Sequence, residues 1–159
     1  MTPTHAATLI VLRESLTMLR DAVAGLPDEA ADWRPVPGTN SVAVLLTHAL
    51  TSSRFFLGNG SGRPGSIVHY RAEERARAFE ASGLAIGELV RAIDAFIPEA
   101  EEILANGDAA SLAGVLDWRA ESPGEPTRTG VECLFRAVAH LREHVGQVQL
   151  MRDLWLARG

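Results

Sequence analysis

Thr129-Gly-Val-Glu132-Cys-Leu-Phe-Arg-Ala-Val-Ala-His140-Leu-Arg-Glu-His144-Val-Gly-Gln147-Val-Gln-Leu-Met151-Arg-Asp-Leu-Trp155 is the stretch that decides the fold. Thr129 stands three residues before Glu132, the spacing of a capping box at a helix start. No proline follows, and Leu134, Val138, Leu141, Val145, Val148 and Trp155 recur at the period of one helix face. His140, His144, Gln147 and Met151 form a second column beside that stripe. Imidazoles one turn apart have Cβ atoms about 5–6 Å from each other, close enough to share a metal ion. On its own such a pair also describes surface or satisfied core histidines, so the remaining chain is read for a third ligand.

Upstream, Leu9, Leu12, Leu16, Leu19 and Val23 predict a first helix from about Thr4 to Gly25, stopped by Gly25 and Pro27. Pro35, Pro37 and Gly38 keep the next connection out of a helix, and Trp33 within it caps a core or lines a pocket. A second helix starts with Asn40 or Ser41 as its N-cap and runs to about Leu57. His48 is its only ionisable group before Arg54, and a buried histidine among apolar neighbours needs a polar partner. Gly58 to Gly65 reads as a flexible loop, the segment to about Arg71 as irregular surface, and Glu73 to Phe79 as a short helical piece. A third long helix is expected from about Ser82 to Asn106, kinked or divided by Pro98. Leu112 to Arg119 reads as an extended strand or a helical turn, and Ser122-Pro-Gly-Glu-Pro126 as a turn.

Four amphipathic helices in a chain of 159 residues predict one all-α domain, residues 1–159, folded as a four-helix bundle. The long link between the second and third helices favours an up-down-down-up order, with that link as the crossover. The formal charge of −5 and the scattering of arginines among acids disfavour nucleic-acid binding. No stretch is apolar for long enough to span a membrane, and no basic, then apolar, signal opens the chain. Cys133, the single cysteine, suits a reducing cytoplasm.

His48 with His140 and His144 gives three neutral imidazoles, a set that suits a divalent transition metal with one open position. Zinc and nickel both accept such ligands. Gln147, one turn past His144, is placed to hold a ligand or water by hydrogen bonding. His5 is expected to be solvated at a frayed terminus, His69 at the surface, and Cys133 in the core. Tyr70 and Trp118 line a pocket or pack, Arg54 falls off the His48 column, and Glu143 points away from the histidine pair. No carboxylate stands where it could serve a nucleophilic water, which favours thiol chemistry over hydrolysis.

Leu26-Pro-Asp-Glu-Ala-Ala-Asp-Trp-Arg-Pro35, Thr39-Asn-Ser-Val-Ala-Val-Leu-Leu-Thr-His48, Arg75-Ala-Arg-Ala-Phe79 and His140-Leu-Arg-Glu-His144-Val-Gly-Gln147 follow one another in an order that resembles the DinB-like superfamily. The resemblance implies an up-down-down-up bundle, a metal held by His48, His140 and His144, and a homodimer. It also implies an enzyme acting on a small-molecule electrophile with mycothiol or bacillithiol, as in mycothiol-dependent maleylpyruvate isomerase and the bacillithiol S-transferases. A metal-dependent hydrolase with the same triad, and a non-catalytic scaffold tied by a metal, remain the alternatives.

Overall fold

A computed structural model describes residues 1–158. The first helix, α1 (Pro3–Val23), begins with Thr2 as N-cap and a proline in its first turn. The short α2 (Glu29–Asp32) leads to α3 (Val42–Gly60), capped by Ser41, whose hydroxyl accepts from the Val44 amide. Helical structure returns as α4 (Ile67–His69), a π-helical turn over Tyr70–Arg75, and α5 (Ala76–Phe79). Then come α6 (Ile86–Ala105) and α7 (Ala109–Ala113). The strand β1 (Val115–Asp117), a 3-10 turn over Trp118–Ala120 and β2 (Thr127–Thr129) lead into α8 (Gly130–Ala157). The two strands pair antiparallel, with Leu116 opposite Arg128.

The chain is predominantly helical, as its periodicity predicts. Among the long helices, α1 and α3 each pack on both α8 and α6. Leu12, Leu16, Leu46, Leu89, Phe96 and Leu141 are fully or almost fully buried in the shared core. Three ion pairs cross helix boundaries on the outside: Arg13–Glu101 and Arg20–Asp94 between α1 and α6, and Arg54–Glu99 between α3 and α6. Exposed pairs of this kind stabilise little and mainly mark the alignment. Arg152 of α8 donates to the carbonyls of Asp21, Ala22 and Ala24, satisfying the C-terminal end of α1.

Three local readings change. The segment after Gly65 is helical rather than irregular, since Ser66 caps α4 by accepting from the His69 amide. The third long helix starts at Ile86, not Ser82. Gly83 adopts φ +71°, its amide donates to Asp32, and the Ile86 amide donates to Asp28, so the carboxylates at the two ends of α2 hold the entry non-helical. Within α6 the helix runs on through Pro98 undivided. His5 is also not solvated. Thr2 and His5 cap each other, Oγ1 to Nδ1 at 2.8 Å, and the ring is fully buried beside Gly107.

Candidate metal centre

The site is built where α3 crosses α8. Gly60 lets the two helices approach at one end of the crossing: a Cβ there would lie 2.8 Å from the Gly130 carbonyl oxygen and collide with Leu134. Farther along the same contact, His48 of α3 faces His140 and His144 of α8. The rings are 4%, 9% and 9% exposed, respectively, so all three are inside the protein.

Their Nε2 atoms converge. His140 Nε2 lies 3.3 Å from His48 Nε2 and 3.3 Å from His144 Nε2. Ligand nitrogens about 2.0–2.1 Å from a tetrahedral ion stand about 3.3–3.4 Å from one another. Two edges of the triangle match that separation, and the potential ligand atoms of all three residues lie within 4.8 Å of one another. The group is therefore able to hold a metal ion.

Protonation favours the same use. Burial, then the neighbouring His140 and His144, pushes His48 down to about 3. Burial, then His144 and the arginines Arg136 and Arg75, takes His140 to about 4. Burial also lowers His144, against the raising effect of Gln147. All three are neutral at pH 7, the state that ligates. Gln147 Oε1 lies 2.8 Å from His144 Nδ1. With that amide orientation the oxygen accepts, so Nδ1 carries the proton and Nε2 presents a lone pair to the centre.

A family model described as the DinB superfamily matches residues 12–148, a span that contains all three histidines. The chain belongs to the DinB superfamily. A conserved protein from Enterococcus faecalis of known structure shares its fold, with a TM-score of 0.74 at 17% identity over 99% of both chains. An uncharacterized protein from Clostridium difficile 630 gives 0.71 at 8% identity, over 96% of this chain and 98% of that one. At such identities the likeness concerns the fold alone. No curated protein matches significantly.

In this DinB-superfamily chain two of the histidines, His48 and His140, line a cavity of about 410 Å³ together with Tyr70 and Trp118. One wall rests on a small second core in which Phe55 stacks on Tyr70 at 4.2 Å, with Trp118 and Cys133 alongside. Phe79 of α5 closes over His48, ring centres 4.6 Å apart. Arg71, Arg75, Arg128 and Arg136 also line the cavity, as does one carboxylate, Glu125. Glu125 is buried and held by Arg71 through both oxygens, at 2.6 and 2.9 Å.

Of the other residues singled out in the sequence, Cys133 is core, and burial pushes its thiol up to about 11, so it stays protonated. His69 is exposed between Glu73 and Glu74, Arg54 pairs with Glu99, and Glu143 is exposed. Trp33 packs edge-on against Trp155, away from the cavity. The arginines and Phe79 were not identified as site residues. Arg136 had a readable signal, since it sits one turn before His140. Arg71, Arg75 and Arg128 lie on a π-helical turn and a short strand, where no long period locates them.

Proposed function

We propose that this protein is a metal-dependent enzyme, a thiol-dependent S-transferase or isomerase acting on a small electrophile. The observation that carries the reading is the convergence of three neutral imidazole Nε2 atoms beside a cavity of about 410 Å³. His48, His140 and His144 would hold zinc or nickel, and Gln147 keeps His144 in the ligating tautomer. When bound there, a divalent ion supplies Lewis acidity, lowering the pKa of a coordinated thiol or water. Tyr70, Trp118 and Phe56 form an aromatic wall of the cavity. Thiol chemistry is favoured over hydrolysis because Glu125, the one carboxylate among the described lining residues, is locked in its pair with Arg71 and is not free to act as a base.

The same reading includes an up-down-down-up bundle. Arg13–Glu101 and Arg20–Asp94 support antiparallel α1 and α6, while His48 beside His140 and Gly60 beside Leu134 support antiparallel α3 and α8. A homodimer in the cytoplasm completes the proposal, with mass by light scattering as the check on assembly.

The test couples elemental analysis of freshly purified protein to titration with mycothiol and bacillithiol. The expected result is about one divalent ion per site, thiol binding that requires it, and conjugation of a test electrophile without ester or amide hydrolysis. Hydrolysis without conjugation would transfer the assignment to a metal hydrolase. A metal that binds no thiol, and whose removal melts the fold, would leave a scaffold role.

A further inference from the structure

The cavity reverses the charge of the chain that forms it. The protein carries a formal −5, yet the lining brings together four arginines and one carboxylate. That carboxylate already belongs to Arg71. Arg75, Arg128 and Arg136 make no ion pair among the described residues. They arrive from three separate elements, the π-helical turn, β2 and α8, so their meeting is a property of the fold and not of a basic run in the sequence. Arg75 stacks over Phe79 at 4.6 Å, and Phe79 covers His48, which ties one guanidinium to the wall of the histidine cluster. Arg136 lies one turn from His140 on the same helix.

Three guanidinium groups without an ion-pair partner around a cavity of about 410 Å³ leave positive charge that the lining's one carboxylate, already held by Arg71, does not balance. Neutral imidazole ligands would leave a bound divalent ion's charge uncompensated as well. Guanidinium is the side chain best shaped to bind an oxyanion through two parallel hydrogen bonds. We propose that the cavity binds a small organic oxyanion, with its carboxylate or phosphate group held by Arg75, Arg128 and Arg136 and its other end directed at the three imidazoles. The placement of the far end rests on the metal-enzyme reading; the seat for the oxyanion does not.

The experiment titrates zinc-loaded full-length protein by calorimetry with succinate, inorganic phosphate and the neutral isostere succinamide. At least one of the two anions should bind about 10-fold or more tightly than succinamide, the scale of a charge-assisted contact. Tighter succinate assigns a carboxylate, and tighter phosphate assigns a phosphoryl group. Arg128→Gln and Arg136→Gln should each weaken the preferred anion by about 10-fold while zinc content stays normal. The same titration on His144→Ala separates the two readings: loss of zinc with retained preference for the anion upholds the arginine seat even if the metal enzyme is wrong. Equal binding of anion and diamide, or arginine variants that bind the anion as the parent does, would overturn the proposal.

Discussion

His140 stands between the other two rings, 3.3 Å from each Nε2, so it contributes both of the short edges of the cluster. Replacing it with alanine should remove bound metal almost entirely, and His144→Ala should lower metal content by about 10-fold or more. Gln147→Leu keeps every ligand but frees the His144 tautomer, and should weaken metal affinity by about 10-fold. Competition with a chromogenic chelator measures all three, and normal stoichiometry in His140→Ala would refute its role. Acid should act on the same rings. Their folded pKa values are depressed, so above pH 6.5 neither folded nor unfolded chain holds the extra protons. Below 6.5 the unfolded chain takes up protons that folded His48 and His140 refuse until about 3 and 4. Metal-free protein should therefore lose stability steadily as pH falls from 6.5 towards 4, as read by its melting temperature. At this scale the clustering of the three histidines was legible because two share a helix column and the third is alone in an apolar helix. His5 is buried despite its closeness to the terminus because Thr2 and Pro3 together start a helix there.

Both α8 histidines depend on how that helix begins. Thr129 Oγ1 accepts from the Glu132 amide, and Glu132 Oε2 accepts from the Thr129 amide at 2.6 Å. Thr129→Ala should cost about 1 kcal/mol, read as a lower urea midpoint at unchanged m-value. Gly130 is held more strictly. A Cβ there would overlap the Ser111 carbonyl of α7 and come within 3.1 Å of the Leu112 Cα, neither of which is a side chain that can turn aside. Gly130→Ala should thus destabilise more than the cap variant does, by about 1–3 kcal/mol. The capping box was legible because its partners lie three residues apart. The start of α6 was not, because Ile86 is capped by Asp28, a partner 58 residues away. The same limit hid the helical turns from Ile67 to about Arg71, too short to show a period, whereas the piece from Glu73 to Phe79 was legible; the π-helical turn and α5 both pack on α3.

Across the whole molecule, the core and the histidine cluster are separable. Leu12, Leu19, Leu46, Ile93, Leu104 and Leu134 are all but fully buried without any part in the histidine group, so the helices have a packed interior of their own. A bound ion adds one link, between α3 and α8, and stabilises the folded state by mass action. At free metal 100 times the dissociation constant that linkage is worth about 2.7 kcal/mol. For a domain of this size each kcal/mol moves the melting temperature by roughly 2–4 °C, so chelation should lower it by about 5–10 °C. The far-ultraviolet helical signal at 25 °C should survive, and unfolding should remain a single transition. Zinc should restore the lost stability in the parent chain and fail to do so in His140→Ala. Collapse of the helical signal on chelation would mean that the ion holds the fold together, and the case for a catalytic rather than a structural site would be lost with it.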